Sequence, residues 1–253
     1  MNGVLIAFLV TIFVWWFSTG VILWLDRLAP KYFKTIMCCS TLVLLGAFVG
    51  LKQSGQSATV ANAYCAFSCA LLIWAWQEIA FLLGYITGSR RTPCPEGAKG
   101  WVRARYAFEA LNHHEFALLL LFLGVVICSW NAQNLTGFWT FVILWLMRQS
   151  AKLNIFFGVL NLNENFLPKH LKYLQTYFRR RSMNYLMPIS IVGSSLCVIP
   201  LWSEALIDGP ESFAIVSKTI LASLLSLAII EHLFLVLPIQ LEVLWRWGFR
   251  EEG

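Results

Sequence analysis

Apolar residues run along this chain in long blocks separated by short polar breaks. Each block approaches the about 20 residues that a helix needs to cross a bilayer. Seven blocks can be drawn, at about 3–25, 35–51, 60–86, 105–128, 135–159, 184–206 and 213–245. The second is short, and the third and seventh are long enough to tilt or to extend past the hydrocarbon. The pattern predicts an all-α fold, a polytopic membrane helical bundle forming one integral membrane domain over 1–253. The first block starts at residue 3 with no basic region before it and no small-residue cleavage site, so it reads as a retained helix rather than a signal peptide. No internal repeat, heptad run or low-complexity segment interrupts the series.

The stretch from Trp145 to Arg181 departs most from a plain apolar block. Arg148 and Lys152 lie four residues apart inside it, on one helical face. A charge there costs about 2.5–3.5 kcal/mol on insertion scales, so acidic partners or water must meet these two. Asn154, Asn161, Asn163 and Glu164 follow where the apolar run breaks. Phe166, Leu167, Leu171, Leu174 and Phe178 then recur at helical spacing beside Lys169, Lys172 and Arg179. That spacing predicts an amphipathic helix lying in the membrane interface, with Asn163 or Asn165 as its N-cap. The same amides could instead hold the polar edge of a ligand.

Composition agrees with a membrane protein. The 253 residues are 58% hydrophobic and 13% charged, against about 25% charged in soluble domains. The length suits one bundle and leaves no room for a soluble domain. The net charge of +6 is spread over several loops, which argues against nucleic acid and for orientation in a lipid bilayer. Arg27, Lys31 and Lys34 follow block one. Arg90, Arg91, Lys99, Arg103 and Arg105 follow block three, and Lys169, Lys172 and Arg179 to Arg181 follow block five. Arg246 and Arg250 close the chain, whereas the alternate loops carry Lys52 or, near the sixth turn, Glu204, Asp208 and Glu211. An odd number of spans with a periplasmic N-terminus and a cytoplasmic C-terminus satisfies this asymmetry. The seven cysteines are scattered without a CxxC spacing and read as small buried hydrophobes.

Chemistry would have to come from ionisable residues inside the blocks. These are Gln77 and Glu78, then Glu109, His113, His114 and Glu115, then Arg148 and Lys152, then Glu231 and His232. The orientation above puts them all in the cytoplasmic half of the bilayer. One reading is a buried ion-pair network, in which Glu78, Glu109, Glu115 and Glu231 neutralise Arg148 and Lys152. A second is a metal site, iron being the candidate, although the Glu-x-x-His pair of bundle di-iron proteins is replaced by Glu109-x-x-x-His113. A third is a tetrapyrrole site in which His113, His114 or His232 ligates magnesium or iron. His113 and His232 are then the first choice, with Glu109 and Glu231 as co-ligands or partners. A proton path or a quinone pocket completes the set. GxSxG, HExxH and P-loop templates are absent, and His170 after Pro168 reads as a surface histidine.

The stretches WAWQEIAFLLGYITG, GSRRTPCPEGAKGW and GFWTFVILWLMRQSAKLNIFFGVLNLNENFLPKHLKYLQTYFRRRSMN resemble the PuhE family. The likeness covers residues 70–190 well and the flanking blocks loosely. Members are called photosynthetic complex assembly proteins, and their genes lie near that of the reaction-centre H subunit in anoxygenic phototrophs. The resemblance implies a protein of the cytoplasmic or intracytoplasmic photosynthetic membrane that serves building of the reaction centre and core antenna. Its partners would be reaction-centre or core-antenna subunits or other assembly factors, with a modulating role in bacteriochlorophyll supply. It supplies no catalytic residues. A metal- or tetrapyrrole-binding oxidoreductase and a small-molecule transporter stand as the alternatives.

Overall fold

A computed structural model describes residues 2–162, 164–206, 212–239, 244, 245 and 247. The fold is all-helical. α1 (Asn2–Asp26), α2 (Phe33–Ser54) and α3 (Val60–Leu82) follow one another with short turns. α4 (Gly100–Glu109) and α5 (Asn112–Cys128) form a bent pair, and α6 (Thr136–Phe157), α7 (Leu186–Ala205) and α8 (Phe213–Phe234) complete the bundle. Five helices are long and apolar enough to cross a membrane, and a sixth crossing results if the bent pair counts as one. α6 has the same length as α2 and α8. Arg148, Gln149 and Lys152 make it less apolar.

Helix ends follow local chemistry. Thr59 Oγ1 accepts from the Asn62 amide and Ser212 Oγ from the Ile215 amide, which starts α3 and α8 on a side-chain cap. Asn184 Oδ1 accepts from the Leu186 and Met187 amides at 2.9 and 3.2 Å and does the same for α7. α3 ends where Gly84 takes a φ of +81°. The Tyr85 amide then reaches the Ala80 carbonyl at 2.9 Å and the Gly84 amide reaches Phe81, a Schellman end that only glycine enters without strain. The third apolar block therefore stops as a helix at Leu82, not at residue 86. The seventh stops at Phe234, and Asn161 caps its open end by donating to the carbonyls of Phe234 and Leu237.

α3 lies at the centre and packs against α1, α2, α5, α6 and α8. Phe67, Ile73, Ala63 and Ala70 are fully buried there. α7 packs mainly on α8 and turns almost all of its surface outward. The segment of Leu244 and Trp245 returns to α1. Trp245 Nε1 donates to the Trp16 carbonyl at 2.9 Å, and Trp16 Nε1 donates to the Leu244 carbonyl at 2.8 Å.

Two expected elements come out differently. The block 105–128 is not one helix, because α4 and α5 meet at 63° across Ala110–Leu111. The segment after α3 supplies the reason. The Arg90 amide donates to the Glu109 carbonyl at 3.0 Å, and the His114 amide donates to the Thr87 carbonyl at 2.9 Å. Groups freed by the break thus find partners on residues 87–90. Gly88 sits so close that a Cβ there would fall 2.3 Å from the Ala110 carbonyl carbon. The interfacial segment is likewise helical, but as the 3-10 helix Lys169–Tyr177. Its buried residues Leu171, Leu174 and Tyr177 are spaced by three, which aligns them at about three residues per turn. Asn163 and the side chain of Asn165, the expected caps, lie outside the described residues, as do Asp208, Glu211, Arg246 and Arg250.

Candidate functional site

The helices enclose a cavity of about 710 Å³ between α1, α3, α5, α6 and α8. α4 and the 3-10 segment add Phe108, Leu174 and Tyr177 to its lining. Its walls are apolar and aromatic, with Trp15, Trp74, Phe81, Phe156, Phe166 and Trp245 among them. A volume of this size falls in the range of small-molecule sites, about 300–1,000 Å³.

Beside Ser18 and Thr19 of α1, the polar lining comes mainly from the intramembrane ionisable residues of α3, α5, α6 and α8. Arg148 Nη2 donates to Glu78 Oε2 at 3.3 Å, and its Nε lies 3.3 Å from Oε1. Lys152 is ion-paired with Glu115, whose other oxygen accepts from Gln149 Nε2 at 2.7 Å. Both cations of α6 therefore have acidic partners on neighbouring helices, Glu78 from α3 and Glu115 from α5. Gln149 joins the cluster through its bond to Glu115. Glu231 borders the cavity with an accessible side chain and makes no salt bridge among the described residues.

The histidines separate into three roles. His113 is exposed and does not border the cavity. Glu109 pairs instead with Arg105, four residues before it on the outer face of α4, at 2.9 Å. The break at Ala110–Leu111 lies between Glu109 and His113 and cancels their i, i+4 relation, so the sequence-level ligand pair is not assembled. His232 borders the cavity, but both ring nitrogens are engaged, Nδ1 with the Ala228 carbonyl and Nε2 with Ser150 Oγ, each at 2.9 Å. A carbonyl can only accept, so Nδ1 carries the proton and Nε2 accepts from the hydroxyl. His114 is 2% exposed, packs on Phe81 with ring centroids 4.7 Å apart and borders the cavity. Its Nδ1 is buried without a hydrogen-bond partner.

The histidine of α8 belongs to a polar chain that the sequence pattern did not signal. Ser150 and Ser190 hydroxyls lie 2.9 Å apart, and Asn154 Nδ2 donates to Ser190 Oγ at 3.0 Å. Asn184 Nδ2 donates in turn to the carbonyls of Asn154 and Gly158. This chain ties α6 to α7 and α8 and completes the wall behind the cavity. Arg103, expected as a surface charge, is buried and donates to the carbonyls of Phe156 and Tyr177, with its guanidinium 4.2 Å from the Phe156 ring centroid. The fifth-block end, α4 and the 3-10 segment are fastened together by that one side chain. Among the described residues no group of three His, Cys, Asp or Glu is placed to hold a metal ion.

A family model described as "Protein of unknown function (DUF3623)" matches residues 1–253. The chain belongs to that family. It is also 36% identical over 251 residues to an uncharacterized 30.4 kDa protein in the puhA 5′ region of Rhodobacter capsulatus, covering 98% of this chain and 91% of that one. No solved structure matches. Membership of the DUF3623 family and the gene position of this relative agree with the resemblance read from residues 70–190.

Proposed function

We propose that this chain is a membrane assembly factor for the photosynthetic reaction centre–core antenna complex, and that its cavity handles a tetrapyrrole such as bacteriochlorophyll. The observation that carries the reading is the cavity itself, apolar and aromatic on its walls with His114 buried beside it. A tetrapyrrole metal takes one imidazole from the protein, whereas a bare metal site needs several ligands. His114, with an unfilled ring nitrogen, suits the first arrangement, and the macrocycle brings the absorbing chemistry when bound. The relative in the puhA 5′ region supports the photosynthetic context. The partners are reaction-centre or core-antenna subunits or other assembly factors, met in the inner or intracytoplasmic photosynthetic membrane. In this reading α6 also crosses the bilayer, giving seven spans within one integral membrane domain, with the N-terminus periplasmic and the C-terminus cytoplasmic.

Two measurements test the two halves. Membranes of a deletion strain should lose near-infrared absorption of the core complex; unchanged bands across growth conditions would rule out the assembly role. The gently purified protein should carry tetrapyrrole absorption that His114→Gln lowers and His113→Gln leaves intact. A colourless parent protein would end the pigment reading.

A further inference from the structure

A second hollow, about 570 Å³, opens where α1 and α3 end and α2 begins, and it shares no lining residue with the large cavity. Its lining comes from two separate stretches. Pro30, Lys31, Phe33 and Lys34 belong to the turn between α1 and α2, and Leu83, Gly84, Tyr85 and Arg91 to the segment after α3. Three cations, Lys31, Lys34 and Arg91, thus converge on one concavity that has no carboxylate in its lining. All three are exposed, and none forms a salt bridge among the described residues. The acid on the same turn, Asp26, is taken up by Arg27 at 3.4 Å. Lys31 leans over the Tyr32 ring, 5.0 Å from its centroid.

Like charges held around a hollow repel one another until an anion joins them. The backbone here is fixed rather than loose. The glycine end of α3 holds Leu83 to Tyr85 by main-chain hydrogen bonds, and His170 of the 3-10 helix packs against Gly84 and Phe33. Pro30, Phe33 and Leu83 add apolar surface beside the cations, at the level where membrane-length helices terminate. A ligand suited to both features carries a phosphate group next to apolar chains.

We propose that Lys31, Lys34 and Arg91 form a binding site for a phosphate group, presented by the headgroup of an anionic phospholipid. The site is independent of the tetrapyrrole reading. Each cation near a membrane surface adds about fivefold to the affinity for an anionic lipid, and three gathered in one hollow select it over a zwitterionic one.

The test uses the full-length protein in detergent and native mass spectrometry with added phosphatidylglycerol or phosphatidylcholine. The parent should retain phosphatidylglycerol preferentially. A Lys31→Gln/Lys34→Gln/Arg91→Gln variant should lose that preference, and Arg91→Gln alone should lower retention about fivefold. A control that neutralises Lys99, Lys172 and Arg181 should keep it. Inorganic phosphate that displaces the lipid would mean recognition of the phosphate alone. Phosphate without effect would mean that the glycerol ester and its chains are needed; both results support the site. Equal retention by the parent and the triple variant would overturn it, and so would equal losses in the triple variant and the control.

Discussion

Arg148 Nη2 of α6 donates to Glu78 Oε2 of α3 at 3.3 Å, and its Nε lies 3.3 Å from Oε1 in an ion pair without a hydrogen bond. The pair joins the central helix of the bundle to the helix that carries both intramembrane cations. Its side chains are unequally covered, with Arg148 40% and Glu78 14% exposed. Removing the arginine leaves the better-buried partner charged and alone. Arg148→Met should therefore destabilise the protein by about 1–3 kcal/mol, less than a fully buried pair would. Glu78→Gln in the same background should restore part of the loss. Thermal melting in detergent for the two single variants and the double variant checks this, and purely additive losses would mean that the pair is not coupled.

Lys152 and Glu115 should couple at least as strongly, because both side chains are mostly covered, at 19% and 25% exposed. Gln149 gives Glu115 a second donor. Glu115→Gln should cost about 1–3 kcal/mol through the stranded ammonium, and Lys152→Met alone should cost a similar amount through the stranded carboxylate. The double variant should melt closer to the parent than either single one.

His113 and His232 should respond oppositely to substitution. His113→Gln lies on an exposed position and should leave melting unchanged within about 0.5 kcal/mol. His232→Leu breaks the hydrogen bonds to the Ser150 hydroxyl, which keeps Ser190, and to the Ala228 carbonyl, and should cost about 1–2 kcal/mol. Equal melting of the two variants would mean that the polar chain behind the cavity does not bear on stability.

Gly88→Ala should be harmful and Gly46→Ala harmless. A Cβ at Gly88 meets main-chain atoms of Glu109 and Ala110 at 2.3 Å, which cannot move without separating residues 87–90 from the α4–α5 break. At Gly46 no atom lies within 4 Å. The first should lower stability by about 1–3 kcal/mol, and the second should raise it by up to about 1 kcal/mol through helix propensity. Melting temperatures of the two proteins decide.

Orientation has its own test. A reporter fused after Gln133 should register the periplasm and one after Lys99 the cytoplasm, as the loop asymmetry of Lys and Arg requires. The reverse pattern would invert the whole bundle.

How far the sequence carried depends on the range of the interaction that settles each feature. Apolar blocks report local burial, and α1, α2, α6 and α7 fall close to where the blocks lie. The need of Arg148 and Lys152 for acids was legible too, because an unpaired intramembrane cation is expensive wherever the partner sits. Which acids answered was not, since Glu115 and Glu109 differ only by a break that nothing in 105–128 announces. That break is stabilised by Thr87 to Arg90, some twenty residues earlier in the chain and invisible to a periodicity window. The 3-10 segment was within reach, because Leu171, Leu174 and Tyr177 carry a period of three, but Phe166, Leu167 and Phe178 blurred it toward an α-helical pattern. The separation of His114 from its neighbour follows from the same break, which sets the register of α5 against α3. The engaged state of His232 needed Ser150, a residue that pattern reading leaves unremarked.

The hydrogen bonds that join Trp245 to Trp16 and Trp16 to Leu244 set a schedule for biogenesis. α1 is made well before the Trp245 segment, yet both border the same cavity. A growing chain that has reached α6 already carries Arg148, Glu78, Lys152 and Glu115, with an open side where α8 will later dock. The wall that Trp245 supplies is therefore put in place only after α8 has been made, later than the ion pairs between α3, α5 and α6.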